Sequence, residues 1–340
     1  MNEQEKERYN RQIILSPWGL QPQEKVKASR VLVIGAGGLG CPVISYLAAA
    51  GVGTIAILDF DVVDISNLQR QVIYDMSDVG KNKALAASKK MQAFNPLINV
   101  IAIEKTLDET NALELISGYD VIVDATDNFE TRYLINDACV ILGKPFVFAS
   151  ILGFEGQVSV FNYKDGPTYR CLYPEPSENA PNCNENGVLG TLAGTIGSIQ
   201  ANEVLKIISG VGETLSGKLL VVDLLRNSYT TVNITPIEEN KKISSLGEYN
   251  SFCDAITFLS RKNFAEKFSV VPHLSIDVSD EYEFIPIESA AKNIPLYEIE
   301  EQSFEGVNVP VVLYCKSGLR SRQAALLLSK KGVRNIVCLT

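Results

Sequence analysis

Histidine is almost absent from this chain: His273 is the single histidine among 340 residues. A Ser-His-Asp triad and a histidine-rich metal cluster both depend on histidine, so the sequence argues against each of these centres. Any chemistry must therefore come from carboxylates, lysine, arginine and cysteine.

The chain also lacks a basic excess and a long apolar run. Its formal net charge of −9 argues against a nucleic-acid-binding surface. No apolar segment approaches the ~20 residues that span a bilayer, and the charged start, MNEQEKERYNRQ, has no apolar signal-peptide core. We therefore expect a cytoplasmic protein with neither a nucleic-acid nor a membrane partner.

The seven cysteines lack the dense, regular spacing of a disulfide scaffold, and their odd number leaves at least one thiol unpaired. We expect reduced thiols throughout. The cysteines are Cys41, Cys139, Cys171, Cys183, Cys253, Cys315 and Cys338.

Short runs rich in valine and isoleucine alternate with helix-like segments between about residues 30 and 150, as in VLVIGAG, TIAILDF, NVIAIE, DVIVDATD and PFVFASI. This alternation predicts an α/β fold with a Rossmann-like, doubly wound, mostly parallel sheet. A polar stretch then predicts a linker over residues 239–266. We therefore expect a first domain over residues 1–238 and a second, smaller α/β domain over residues 267–340.

A glycine loop lies between the first predicted strand and the helix that follows it. Gly35, Gly37, Gly38 and Gly40 fit the pattern G-x-G-x-x-G, in which glycines permit a tight turn and bring phosphate close to the helix N-terminus. Asp59 ends the second predicted strand, where it can accept hydrogen bonds from ribose hydroxyls. These features alone leave an NAD-dependent oxidoreductase and an ATP-dependent enzyme both open.

The residues that follow the later strands favour a triphosphate. Arg70, Lys83 and Asp127 come after successive predicted strands, at the edge where ligands of such sheets bind. Arginine and lysine neutralise phosphate oxygens, and a carboxylate can hold Mg²⁺. Because hydride transfer needs no such set, the pattern favours ATP with Mg²⁺ over NAD.

Six motifs together resemble the ubiquitin-activating-enzyme-like adenylyltransferases that serve molybdopterin synthase and related sulfur-carrier proteins. They are RYNRQIIL, GAGGLG, DFDVVDISNLQRQ, VGKNKA, DATDNFETR and NENGVLG, spread over about residues 5 to 235. The resemblance implies ATP-dependent adenylation of the C-terminal glycine of a ubiquitin-like sulfur-carrier protein that ends in Gly-Gly, with release of pyrophosphate. Similar enzymes serve thiamine and tRNA-thiolation pathways, and the sequence does not choose among these carriers.

The resemblance also assigns roles by motif position. It implies that Asp59 binds the ribose, that Asn67, Arg70 and Lys83 contact the phosphates, and that Asp127 holds Mg²⁺. It further implies a homodimer in which Arg11 reaches the ATP site of the neighbouring subunit. Cations on the leaving pyrophosphate stabilise the charge that develops there, so this chemistry needs no histidine.

Two cysteines bear on what the resemblance implies for the first domain. Relatives usually hold a structural zinc with two CxxC pairs, but here Thr168 occupies the first position and leaves Cys171 alone, so we expect no zinc.

Cys183 matches a crossover-loop cysteine that takes part in an acyl intermediate in two-domain relatives. Single-domain relatives do not need it for adenylation, so a catalytic role and a dispensable one both stay open.

In the second domain, the apolar segment VVLYC predicts a strand that delivers Cys315 to a short loop, with a helix starting near Ser321. Backbone amides of such a loop can lower a thiol pKa and stabilise a persulfide, whereas a buried inert cysteine is the alternative. Arg320 adds positive charge close to this loop in the sequence. The segment resembles a rhodanese-like sulfurtransferase domain. The segment departs from the rhodanese-like pattern in two ways. Ser279 and Asp280 replace the usual Arg-Glu, and the final Gly-Gly turn and helix are missing. The second departure predicts a C-terminally incomplete domain.

The second resemblance implies that Cys315 carries sulfur from a cysteine desulfurase or another donor to the activated carrier, giving a C-terminal thiocarboxylate. The alternative is a binding module that only recruits partners.

Overall fold

The computed structural model describes residues 1–174, 187–247, 249, 256–259, 264–265, 268, 271–299, 301–304, 306–307, 309–316, 318–331, 333 and 335–339. Cys183 and Cys253, and the predictions made for them, lie outside the described residues. The chain divides into two compact units, Met1–Tyr249 and Asn250–Thr340.

The first unit contains an eight-stranded sheet in the order β3-β2-β1-β4-β5-β6-β7-β8, in which β1 to β5 run parallel and β6 to β8 continue antiparallel. The strands are β1 Arg30–Ile34, β2 Thr54–Leu58, β3 Asn99–Ile103, β4 Val121–Asp124, β5 Phe146–Leu152, β6 Glu155–Phe161, β7 Lys218–Asp223 and β8 Ser228–Asn233. The helices are α1 Glu3–Ile13, α2 Leu20–Ala28, α3 Gly40–Ala50, α4 Lys83–Phe94, α5 Ala112–Ser117, α6 Phe129–Leu142, α7 Tyr169–Leu172 and α8 Gly190–Ser209.

Both faces of the parallel part of this sheet are covered, as the continuous apolar strands predict. In β1, Val31 and Val33 belong to one core cluster, which also holds residues of α3, α4 and α8. Leu32 and Ile34 belong to the other, with residues of α5 and α6. The predicted Rossmann-like, mostly parallel α/β fold is confirmed.

Strand order reverses beside β1. The chain proceeds outward from β1 to β2 and β3, and then returns to place β4 on the other side of β1. Loops that leave the carboxyl ends of β1 and β4 therefore diverge, which opens a crevice at the position where doubly wound sheets bind their ligands.

The second unit contains a five-stranded parallel sheet in the order β11-β10-β12-β13-β9. Its strands are β9 Ile256–Leu259, β10 Leu274–Asp277, β11 Lys292–Asn293, β12 Val311–Tyr314 and β13 Ile336–Leu339, and its described helix of regular length is α9 Leu319–Lys330. The predicted small α/β domain is thus present, and α9 begins two residues before the predicted start. Because β9 falls within residues 239–266, the second sheet starts inside the stretch expected to be a linker, and the boundaries at 238 and 266 stay predictions.

Among the described residues, no helix combines the length and the apolar character that crossing a membrane requires.

Candidate active site

A cavity of about 440 Å³ opens at the carboxyl ends of β1, β2 and β4, within the usual size range of small-ligand sites. It therefore lies at the crevice where the strand order reverses. The predicted site residues that line it are Gly35, Gly37, Gly38, Asp59, Asn67, Arg70, Lys83 and Asp127. Gly40 and Arg11 are not among its lining residues.

Two glycines of the loop are required by close packing. Gly35 has a φ of +96°, and a Cβ there would lie 2.6 Å from the carbonyl oxygen of Ala125. A Cβ on Gly40 would lie 2.0 Å from the carbonyl oxygen of Gly35. The loop is therefore pressed against the end of β4, and α3 begins directly behind it. Because Leu39, the residue before α3, has no polar side chain to cap the helix, the amino end of α3 can interact with an anion.

Asp59 is held at the end of β2 by two backbone donors. Its Oδ2 accepts the N–H of Ala36 at 2.7 Å, and its Oδ1 accepts the N–H of Asp61 at 2.9 Å. Burial raises the pKa of the Asp59 carboxyl, against the opposing effects of these bonds and of the Lys83 charge. Each carboxylate oxygen has a second lone pair, so the side chain keeps the capacity to accept hydroxyl donors.

Two cations reach the cavity from the segment between β2 and α4. Lys83, the first residue of α4, is buried, and its Nζ lies 2.9 Å from Asp61 Oδ2. Arg70 donates from Nη1 to the carbonyl of Ser66 at 3.2 Å. A short 3₁₀ turn before Arg70 is fixed by Asn67, whose Oδ1 accepts the N–H of Asp64 at 3.1 Å. The segment thus places two positive charges beside the glycine loop.

Asp127 lies on the loop between β4 and α6, next to Asn128, and both residues line the cavity. Asn128 also caps α6, because its Oδ1 accepts the N–H of Thr131 at 2.9 Å. The capping bond fixes the point at which the loop turns into the helix.

Sequence reasoning missed Arg132, which also lines the cavity from α6 and is only 3% exposed. Its position in DATDNFETR, just over one helical turn after Asp127, was the available signal. Nearby Asp124 is completely buried, and burial raises the pKa of its carboxyl while the Arg132 charge opposes that rise. Gln71 is a second missed residue, buried and lining the same cavity.

Arg11 lies on the helix that docks at the carboxyl end of α3, and it does not line the cavity. It is exposed in the last turn of α1, and that helix docks where α3 ends. Gln12 donates to the carbonyl of Ala50 at 3.1 Å, while a Cβ on Gly51 would collide with the ring of Tyr9. The cavity is at the amino end of α3, about 16 Å away along an 11-residue helix.

In the second unit, Cys315 follows β12 and its thiol is buried. Its Sγ accepts the N–H of Gly318 at 3.1 Å, directly before α9. The predicted positive neighbour, Arg320, is paired with two carboxylates, Asp280 at 3.3 Å and Glu283 at 2.5 Å. These pairs offset much of the charge that Arg320 would otherwise present to the thiol.

Cys171 is surrounded by backbone amides that donate hydrogen bonds to its thiol. Its Sγ accepts the N–H of Thr168 at 3.4 Å and that of Ile237 at 3.3 Å. Across the part of the chain that the structure describes, no three His, Cys, Asp or Glu side chains are grouped so as to hold a metal ion. The expected absence of zinc stays a prediction.

Comparison with known proteins gives two family matches: the ThiF family over residues 9–243 and the rhodanese-like domain over residues 261–340. A Mycobacterium tuberculosis protein named "Probable adenylyltransferase/sulfurtransferase MoeZ" is 44% identical over 363 residues, covering 99% of this chain and 91% of that protein. The sulfur carrier protein adenylyltransferase of Thermus thermophilus is 46% identical over 263 residues, covering 74% of this chain and 97% of that protein.

Among solved structures, the crystal structure of Escherichia coli MccB with ATP matches with a TM-score of 0.59 at 22% identity. The match covers 66% of this chain and 68% of MccB. At this identity the likeness supports the fold alone.

Proposed function

This chain belongs to the ThiF family and carries a rhodanese-like second domain, and from this premise we propose that it is an ATP-dependent adenylyltransferase of a ubiquitin-like sulfur-carrier protein. The observation that carries the proposal is that the glycine loop, two cations and Asp127 line one cavity. In the reaction, a carboxylate oxygen of the carrier's terminal glycine bonds to the α-phosphorus of ATP. The bond from that phosphorus to the bridging oxygen breaks, and pyrophosphate leaves with the electron pair.

The lining residues fit the parts of ATP. Asp59 at the end of β2 accepts the ribose hydroxyls, and the glycine loop lets phosphate approach the amino end of α3. Asn67, Arg70 and Lys83 contact the phosphates, where the two cations stabilise the charge that grows on the leaving pyrophosphate. Hydride transfer would use neither cation, so the oxidoreductase alternative is the weaker one.

A magnesium ion also fits the donor set. Mg²⁺ in phosphate sites is held by one or two carboxylates together with phosphate oxygens and water, and Asp127 offers a carboxylate at the cavity wall beside the amide oxygen of Asn128. When bound, the ion would neutralise charge on the phosphate oxygens. Asp127 would hold it, and Arg70 and Lys83 would orient the triphosphate.

A homodimer completes this proposal. Because α1 docks at the carboxyl end of α3, Arg11 does not line the cavity of its own chain. It is available to a second copy, as the family resemblance implies. The expected cytoplasmic location stays a prediction.

The second domain supplies sulfur in this proposal. A persulfide on Cys315, loaded by a cysteine desulfurase or another donor, attacks the acyl carbon of the adenylated carrier, and AMP leaves. A second thiol then cleaves the S–S bond, which gives the thiocarboxylate and a disulfide. Cys183 stays a candidate for an acyl intermediate, with a dispensable cysteine as the alternative. The carrier is of the molybdopterin-synthase small-subunit type, with thiamine and tRNA-thiolation carriers as alternatives.

The test is carrier-dependent exchange of labelled pyrophosphate into ATP. We expect exchange with a Gly-Gly-ended carrier and none in Asp127→Ala, because the metal would lose its carboxylate. The matched control is Glu114→Ala, which removes an exposed carboxylate on α5 that does not line the cavity. The proposal is wrong if the wild-type chain exchanges no pyrophosphate with any such carrier, or if Asp127→Ala exchanges pyrophosphate as fast as the wild-type chain.

A further inference from the structure

A buried arginine borders the candidate active site without belonging to the predicted phosphate-binding set. The guanidinium of Arg132 lies 5.4 Å from the ring centroids of both Phe129 and Phe148, which hold it in place. Its Nη2 donates to the carbonyl oxygen of Thr126 at 3.0 Å. Arg132 is therefore anchored to the loop that leads to Asp127.

Asp124 holds the same loop from the other side. Its Oδ1 accepts both the N–H of Thr126 at 3.0 Å and the Oγ1 hydroxyl of that residue at 2.6 Å. The main-chain oxygen of Asp124 accepts from Gln200 at 2.8 Å. The amide and the carbonyl of Thr126 are thus each bound to a buried charged residue, and Asp127 follows immediately.

The ion pair between Arg132 and Asp124 is long and is not supported by a direct hydrogen bond. Arg132 Nε and Asp124 Oδ2 are 3.7 Å apart, and neither atom has a hydrogen-bond partner among the described residues. A buried charge pair with such geometry contributes little to stability relative to apolar side chains of the same size. Stabilisation of the fold alone therefore does not explain it.

A second arginine–aspartate pair, between Arg170 of α7 and Asp137 of α6, provides the contrast. Asp137 of α6 receives two hydrogen bonds of 2.8 Å each from Arg170, the paired geometry that is typical of structural contacts. Neither residue lines the cavity. Of these two pairs, the one beside Asp127 leaves Arg132 Nε and Asp124 Oδ2 without a hydrogen-bond partner in the described part of the chain.

Building on the proposed function, we propose that Arg132 and Asp124 are positioning residues that fix Asp127 for the metal ion of the Mg²⁺–ATP complex. Arg132 acts through the Thr126 carbonyl and not through contact with phosphate. Its loss lets the loop turn, so that the Asp127 carboxylate no longer points consistently at the metal. Outer-shell partners of metal ligands typically change metal affinity by about 10- to 100-fold, and we expect a loss of that size.

The experiment compares three full-length variants, Arg132→Met, Arg132→Lys and Arg170→Met, with the wild-type chain. Calorimetry measures ATP binding with Mg²⁺ and, separately, with EDTA, and thermal unfolding measures stability. Arg132→Met is expected to weaken Mg²⁺–ATP binding about 10- to 100-fold and to leave metal-free ATP binding nearly unchanged. Arg132→Lys should recover part of the loss, because it keeps the positive charge and can still donate a hydrogen bond to the Thr126 carbonyl. Arg170→Met should lower the melting temperature and leave the ratio of the two affinities unchanged.

An equal loss of both affinities in Arg132→Met would overturn the inference, since it would mean that the guanidinium contacts phosphate directly. A changed ratio in Arg170→Met would overturn it too, because any damage to α6 would then be enough. Should Arg132→Met fail to fold, Arg132→Lys and Asp124→Asn carry the same comparison. The proposed function has its own test: it fails if the wild-type chain neither binds ATP nor exchanges pyrophosphate. The inference about Arg132 fails if wild-type exchange is intact and the Arg132 variants show the wild-type ratio of ATP affinities with Mg²⁺ and with EDTA.

Discussion

Replacing Gly35 by alanine tests how tightly the glycine loop is pressed against β4. Its φ of +96° disfavours any side chain, which costs roughly 1–2 kcal/mol. The new Cβ would also lie 2.6 Å from the Ala125 carbonyl oxygen and 2.9 Å from its carbon, an overlap that adds about 1–3 kcal/mol. We therefore expect Gly35→Ala to lower the free energy of unfolding of the first unit by about 2–5 kcal/mol.

A matched glycine separates the two contributions. Gly143, which ends α6, has a φ of +63°, but a Cβ there would meet no described atom within 4 Å. Gly143→Ala should therefore lose only the backbone part, about 1–2 kcal/mol. The difference between the two variants measures the contact with Ala125.

The single tryptophan makes this measurement specific to the first unit. Trp18 packs against the core of that unit, and its Nε1 donates to Gln23 at 3.0 Å, so its fluorescence in a urea titration follows the unfolding of this unit. Pyrophosphate exchange should also fall in Gly35→Ala, because the contact pushes on the loop that carries Asp127. If Gly35→Ala is no less stable than Gly143→Ala, the close approach of Gly35 to the Ala125 carbonyl is wrong.

Three further predictions concern charge and burial. Lys83→Met should reduce pyrophosphate exchange about 10²- to 10³-fold, since a preorganised cation is lost. Lys81 does not line the cavity, so Lys81→Met should leave exchange unchanged; equal losses in the two variants would count against a phosphate-binding role of Lys83. A hydrogen bond from Lys27 holds the pKa of Glu5 below its ordinary value of 4.5, so this pair stabilises the fold above that pH and its contribution disappears as pH falls through the lower folded pKa. Glu5→Gln should thus reduce stability by about 0.5–1 kcal/mol at pH 7, and the difference in melting temperature should vanish in acid. A difference that persists in acid would contradict the linkage. Tyr249→Phe removes a 2.7 Å hydrogen bond to a buried carboxylate on α6 and should reduce stability by about 1.5–3 kcal/mol, which an unchanged urea midpoint would refute.

Much of the first domain could be predicted because its signals are local. The alternation of Val31 and Val33 with Leu32 and Ile34 already indicates a strand buried on both faces, since neighbouring side chains of a strand point to opposite sides. The glycine loop follows directly, and the polar residues that end successive parallel strands meet at one edge of the sheet. A candidate nucleotide site could therefore be assembled from order along the chain.

The second sheet shows where local signals stop. The strand Ile256–Leu259 has four residues inside a polar stretch, too few to distinguish a strand from a linker by pattern. Its pairing with Ile336–Leu339 identifies it, and that partner lies about 80 residues further along the chain. A short edge strand depends on the sheet that receives it more than on its own composition.

The sequence by itself determined the alternating core of the first sheet, the glycine turn, and the order of charged residues after the strands, because each depends on residues close in the chain. Only the tertiary structure decided that Lys83 is paired with Asp61 and that α1 keeps Arg11 away from its own cavity. It also decided that Arg132 is buried against Phe148 of a neighbouring strand, beside a carboxylate that it does not fully satisfy. These properties depend on which groups share a low-dielectric space after folding, and distance along the chain does not specify that.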